Sequence, residues 1–332
     1  MKNFEFASPQ TEAEAVGLLQ DHGGRTAVLA GGTDLVGLLQ ADLVAPERVV
    51  DVRQIQSMSG VRRDADGLWV GALTTLDDVL ASPLLKPYLS LVEVADAHHA
   101  IQIQSSGTLG GDLCHLPNCW YYRNGYGLLA MKDGESLVAT GDNRYHAILG
   151  NSGPAKFVNA SRFAPALIAW GAKVRIIGPA PDQVEVVPLE YFYISPKSAN
   201  QGNTILKPGQ LISHIWLPAI EPTHVSATYE VLQMEGLDWP LATASVTLDV
   251  EGGIVRAARV VLGHVAPTPW VSQEAASLLR NQMVTEDLAN AVGAAAVSKA
   301  TPLSNNEYKV QIAKTAVKRA VLKAVGQLEG GL

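Results

Sequence analysis

Two glycine-rich turns, Ala30-Gly31-Gly32-Thr33-Asp34 and Thr108-Leu109-Gly110-Gly111-Asp112, constrain this chain more than any other feature, each set between an apolar stretch and polar residues. Paired glycines turn the backbone sharply and leave amide N–H groups open that a Cβ would shield. Thr26-Ala27-Val28-Leu29-Ala30 reads as a short strand, and Thr33-Asp34-Leu35-Val36-Gly37-Leu38-Leu39 as a helix with Thr33 at its N-cap. Such a junction gathers unpaired amides and the positive end of a helix at one point, which suits phosphate. The two turns read as paired anion cradles for a diphosphate-bearing cofactor, with ordinary turns as the alternative. Neither G-x-G-x-x-G nor G-x-x-x-x-G-K-S/T occurs, so neither the Rossmann dinucleotide unit nor the P-loop is supported.

Charge narrows the partners. A net charge of −7 and no basic run argue against a nucleic-acid surface. The N-terminus Met1-Lys2-Asn3-Phe4-Glu5-Phe6 lacks the apolar core of a signal peptide, and no segment approaches the ~18 apolar residues of a membrane span, so a cytoplasmic chain is expected. With 332 residues and 47% apolar composition, two or three domains can each bury a core.

The order of patterns gives three blocks. Residues 1–53 form a small α/β block: a helix from Thr11 to His22 closed by Gly23-Gly24, the first turn, and a strand over Arg48-Val49-Val50-Asp51-Val52. Residues 54–220 open with a hairpin around Asp64-Ala65-Asp66-Gly67 and contain the second turn. Residues 221–332 place strands at Val225–Leu232, Ala242–Val250 and Ile254–Leu262, turned by Glu251-Gly252-Gly253, ahead of helices at Val271–Met283, Thr285–Lys299 and Glu307–Leu328. The last helix carries Val310, Ala313, Ala316, Val317, Ala320, Val321 and Val325 on one broad face. Strands followed by helices predict an α+β domain with one sheet face covered.

These residues, with Ala164-Pro165-Ala166-Leu167-Ile168-Ala169, Pro208-Gly209-Gln210-Leu211-Ile212 and Asp238-Trp239-Pro240-Leu241, resemble the FAD-binding subunit of molybdenum hydroxylases, the group of carbon monoxide dehydrogenase, xanthine dehydrogenase and bacterial aldehyde oxidoreductases. The resemblance runs nearly end to end. It implies an α+β fold: a two-part FAD-binding domain like that of vanillyl-alcohol oxidase, its small α/β block joined to a larger α+β block, then a C-terminal antiparallel sheet covered by helices. It implies FAD here, molybdopterin in a large partner subunit, [2Fe–2S] clusters in a small one, and electron transfer to oxygen, NAD, a quinone or another acceptor. An aldehyde is the favoured substrate class. Relatives that reach the periplasm do so on a signal carried by a partner subunit.

By the same resemblance, Leu29, Ala30, Gly31, Gly32, Thr33, Asp34 and Leu35 wrap the pyrophosphate, and Thr108, Gly110, Gly111 and Asp112 close the opposite side. Asp112 stands where the family usually has asparagine, and is expected to contact ribityl hydroxyls or to stay clear of the phosphates. Arg162 replaces the family's carboxylate and is expected to neutralise phosphate or reduced flavin. Asp238 and Trp239 are placed near the isoalloxazine edge, with a turn residue and a core aromatic as the plain readings. Cofactor contact is also implied for His115, Cys119, Tyr121 and Leu167. The segment from Cys114 to Gly150 is similar to an insertion that holds a [4Fe–4S] cluster through four cysteines in 4-hydroxybenzoyl-CoA reductase and some aldehyde oxidoreductases. Only Cys114 and Cys119 are present, so no such cluster is expected; free thiols are favoured over a zinc site or a disulfide. His98-His99 reads as structural, and G-x-S-x-G and H-E-x-x-H are absent. Two other functions stay open at this stage: a stand-alone flavin oxidase, and a non-catalytic scaffold that kept the fold.

Overall fold

The computed structural model describes residues 1–20, 25–234 and 238–328; the expected Gly23-Gly24 helix stop lies outside them. Strands β1 (Glu5–Ala7), β2 (Thr26–Leu29) and β3 (Arg48–Asp51) form a parallel sheet in the order β1-β3-β2. Parallel strands need crossover connections. The helices Glu12–Gln20 and Leu35–Gln40 supply them, the first burying Ala15, Val16 and Leu19 on one face.

The second sheet contains β4 (Val61–Asp64), β5 (Gly67–Gly71), β8 (Lys173–Ile177), β9 (Val184–Pro188) and β10 (Leu211–Pro218), antiparallel in the order β4-β5-β10-β8-β9. Between β5 and β8 lies a two-stranded ribbon, β6 (Met131–Lys132) with β7 (Glu135–Ser136). Gly67 is the first residue of β5 rather than part of the turn: it pairs with Asp64, and a Cβ on it would lie 2.0 Å from the Leu217 carbonyl oxygen. Both sheets bury their apolar residues in one continuous core, from Ala15 through Val50 to Ile215.

The third sheet runs β11 (His224–Val231), β12 (Ala242–Glu251), β13 (Ile254–Gly263), β14 (Trp270–Val271), all antiparallel neighbours in that order. Helices Gln273–Leu279, Glu286–Ala296 and Tyr308–Ala324 cover it. The first of these is shorter than its pattern predicts, because Val271 pairs with Val261 as a strand residue and Arg280 leaves the helix in extended conformation. The last buries Ala313, Ala316, Val317, Ala320 and Val321 completely.

Residues 114–150 are ordered by polar links to distant elements. Arg123 pairs with Asp34 at 2.7 Å, Asn143 donates to Ser304 Oγ at 2.9 Å, and the Asn305 amide donates back to Asn143 Oδ1 at 2.8 Å. Ile148 and Leu149 join the core under the third sheet.

Candidate functional site

At the end of β2 the chain reaches Gly31, which sits so close to the second turn that a Cβ would lie 1.8 Å from the Ser106 carbonyl oxygen. Gly32 follows with φ +72°, a left-handed conformation that disfavours any side chain. The amides of Gly31, Gly32, Thr33 and Asp34 donate to no acceptor among the described residues. All four residues line a cavity of about 580 Å3, whose wall is mostly apolar.

Thr33 is not the helix cap. Asp34 occupies that position, already in helical conformation (φ −112°, ψ −53°) and without a side-chain capping bond. Its carboxylate is spent elsewhere, on Arg123 at 2.7 Å and the Leu116 amide at 3.2 Å, with His115 Nδ1 3.6 Å away. One charged side chain thus ties the first turn to the segment that follows Cys114.

The second turn differs from the expected second cradle. Leu109 N donates to Thr74 O at 3.0 Å, Gly110 N to Ala72 O at 2.8 Å, Gly111 N to Thr108 Oγ1 at 3.1 Å and Asp112 N to Thr108 O at 2.9 Å. Its amides are already engaged, so only the first turn presents free donors. Gly110 serves close packing, since a Cβ would meet that of Ala72 at 2.7 Å. Gly111 instead presents bare backbone to the cavity; a Cβ there would meet only its own Thr108 hydroxyl, at 2.9 Å.

Asp112 lines a smaller cavity beside the first, but its hydrogen bonds are made within the protein. Both carboxylate oxygens are committed to the start of helix Phe163–Ala169, accepting from Ser161 Oγ and, at 3.1 Å each, from the amides of Arg162 and Phe163. Burial nevertheless pushes its carboxyl above the ordinary range.

A second cavity of about 150 Å3 opens from the first through Thr33, Thr108, Gly111 and His115, which line both. In its wall the rings of His115 and Trp239 meet edge to face, centroids 4.8 Å apart. Asp238 also lines it, with Oδ2 accepting from the Met234 amide at 3.0 Å. Arg162 borders this cavity, yet its guanidinium forms an ion pair with Glu230 in which both side chains are buried. Arg162, expected to neutralise phosphate or reduced flavin, thus has its charge balanced by Glu230 within the protein. His98 completes the wall, its pKa pulled down to about 4 by burial and by Arg162, so it is neutral.

Four expected contact residues line neither cavity. Leu29 lies within β2, and Leu167 is fully buried in the core. Cys119 contacts His146 Nε2 at 3.1 Å, and Tyr121 packs on the same imidazole with centroids 5.7 Å apart. Conversely, Arg25, Pro46, Gln210 and Ile212 line the large cavity without having been singled out as site residues. Gln210 and Ile212 belong to the Pro208–Ile212 segment that carried the resemblance, which was the available signal. Cys114 also lines it, its thiol pushed up to about 12 by burial. No cluster of three or more His, Cys, Asp or Glu side chains placed to hold a metal occurs among the described residues.

The donor set suits an elongated ligand with a diphosphate at its middle: free amides lie near the junction of the two cavities, apolar walls lie on one side and aromatic rings on the other. A cavity of this size falls within the ~300–1,000 Å3 range of cofactor pockets.

Comparison with known proteins agrees. Residues 2–220 match a family model described as the FAD binding domain in molybdopterin dehydrogenase, and residues 227–324 one described as the CO dehydrogenase flavoprotein C-terminal domain. The chain is similar to the carbon monoxide dehydrogenase medium chain of Hydrogenophaga pseudoflava, 25% identical over 96% of each chain. It is 27% identical to the aldehyde oxidoreductase FAD-binding subunit PaoB of Escherichia coli, over 98% of this chain and 100% of that one. Among solved structures, carbon monoxide dehydrogenase from Hydrogenophaga pseudoflava shares the fold with a TM-score of 0.77 at 24% identity, covering 98% of both chains.

Proposed function

The chain belongs to the FAD-binding flavoprotein family of molybdopterin dehydrogenases, and from that premise we propose how its own residues serve the cofactor and the complex. It is the FAD-binding, electron-transferring subunit of a heteromeric molybdenum hydroxylase, an oxidoreductase component whose molybdopterin and [2Fe–2S] clusters reside in partner subunits. The flavin supplies the redox chemistry, and the protein supplies orientation and surroundings.

In our reading the pyrophosphate rests on the free amides of Gly31, Gly32, Thr33 and Asp34, which is the observation that carries the assignment. The adenosine half takes the large apolar cavity beside Val28 and Pro46, and the ring system extends past Gly111 toward His115 and Trp239. The three sheets support domain limits at 1–53, 54–220 and 221–332. No helix among the described residues is long and apolar enough to cross a membrane. We place the complex in the cytoplasm, or in the periplasm if a partner carries an export signal, with an aldehyde as its substrate class.

Gly111 provides the test, because a side chain there enters the cavity while meeting little of the fold. Gly111→Val should lower FAD occupancy of the purified complex at least tenfold while leaving its thermal unfolding within a few degrees. Full flavin content in this variant would refute the placement of the cofactor along the second turn.

A further inference from the structure

Residues 114–150 are held to the first turn by polar contacts that meet at Asp34. Arg123 spreads its guanidinium over three acceptors: Nη1 donates to Asp34 Oδ1 at 2.7 Å, Nη2 to the Leu116 carbonyl at 3.0 Å and Nε to the Pro117 carbonyl at 3.0 Å. The Leu116 amide donates to Asp34 Oδ2 at 3.2 Å. His115 Nδ1 stands 3.6 Å from the same oxygen while donating to the Leu116 carbonyl at 2.7 Å. The side chains of Asp34 and Arg123 are 17% and 23% exposed, so solvent and salt screen the pair only in part.

The position of Asp34 sets an electrostatic problem for an anion. Its amide is one of the four free donors of the first turn among the described residues, and Asp34 lines the large cavity. A bare carboxylate there would repel the diphosphate that those amides suit, because like charges in a poorly screened site disfavour each other. The cavity wall offers little to offset it. Among the described residues Arg25 is the only lysine or arginine in that wall; it is paired with Glu47 at 2.5 Å, and its side chain is 62% exposed. Arg123 stands outside the lining and reaches the site through Asp34.

We propose that Arg123 is a positioning residue for the cofactor: by pairing with Asp34 it cancels the charge at the first turn, so that the turn can hold a diphosphate. The inference rests on the pyrophosphate placement given above. The bonds to Leu116 and Pro117 aim the planar guanidinium, and the contact with Asp34 balances the charge. The two side chains are 89 residues apart, so affinity for the cofactor depends on residues 114–150 being folded against the first block.

The test uses the complete complex with its partner subunits, stripped of flavin and titrated with FAD, with binding read from the change in flavin fluorescence. Arg123→Met should raise the Kd for FAD at least tenfold, since truncating one partner leaves the other charge unpaired. Arg123→Lys, which keeps the charge, and Arg123→Met combined with Asp34→Asn, which removes both charges, should each stay within about threefold of the wild type. An unchanged Kd in Arg123→Met overturns the proposal. So does a loss in Arg123→Lys or in the double variant as large as that in Arg123→Met, because the segment is then a mechanical clasp whose bonds, and not its charge, retain the cofactor. Where Arg123→Met does not assemble, Asp34→Asn alone decides: it removes the acid and leaves the guanidinium, so its Kd should be no higher than that of the wild type, and a tenfold rise overturns the proposal. A wild-type complex that binds no FAD removes the functional reading, and this inference with it, and is recognised before any variant is made.

Discussion

At the scale of single residues, Arg162 shows how a charge changes meaning once its partner is known. Sequence places it just before an apolar helix, in a position that invites an anion. The structure gives it Glu230, sixty-eight residues later, with side-chain exposures of 7% and 6% for the pair. Removing one member of a buried ion pair strands the other charge at a cost of about 3–5 kcal/mol, whereas replacing both with apolar groups is often near neutral. Glu230→Gln should therefore lower stability by ~3 kcal/mol in denaturant unfolding, and Arg162→Met with Glu230→Leu should restore most of it. If Glu230→Gln leaves stability intact and tightens FAD binding, Arg162 is the flavin's countercharge after all. Asp112 was equally illegible, since its acceptors' role depends on Ser161, forty-nine residues away. The paired glycines of the two turns read alike in the sequence, yet only the first turn keeps free amides; the second has its amides taken by Thr74, Ala72 and Thr108, partners the glycine pair itself does not reveal.

At the scale of elements, the sequence discloses what repeats with a period and hides what is held by single polar contacts. The strands at 224–231, 242–251 and 254–263 follow their β-rich stretches within a residue or two. Residues 114–150 have no period to read. Their order comes from links such as Asn143 Nδ2 to Ser304 Oγ at 2.9 Å, 161 residues apart. Helix contacts are hidden in the same way. By propensity alone, Gly293 inside helix Glu286–Ala296 would be improved by alanine, by ~1 kcal/mol. The structure reverses the sign, because a Cβ there would lie 2.4 Å from the Lys314 carbonyl oxygen of the neighbouring helix. Gly293→Ala should destabilise the protein by about 1–3 kcal/mol as the helices are forced apart. A rise in unfolding midpoint would show that the two helices can separate freely.

At the scale of the whole molecule, buried histidines couple folding to pH. His146, within the 114–150 segment, is 2% exposed, with Nε2 on Cys119 and Nδ1 without a partner among the described residues. Burial and Lys309 lower its pKa to about 4, and His98 and His264 are lowered in the same sense, to about 4 and about 3. An unfolded histidine titrates near ~6.5. Between about pH 6.5 and 4 the unfolded chain therefore binds more protons than the native one, so stability is lost as pH falls through that window and is flat in this respect above it. Each such group contributes at most roughly 3 kcal/mol across the window. Unfolding free energy measured from pH 7 to 4 should fall with a slope near three protons in mid-window, once the opposing carboxylates are allowed for by difference. His146→Gln isolates one of these groups: its slope should be shallower by about one proton, with stability at pH 7 changed far less than at pH 4.5. Parallel curves for the variant and the wild type would mean that His146 is protonated in the folded state as readily as in the unfolded one, and that the interface around Cys119 admits water and charge.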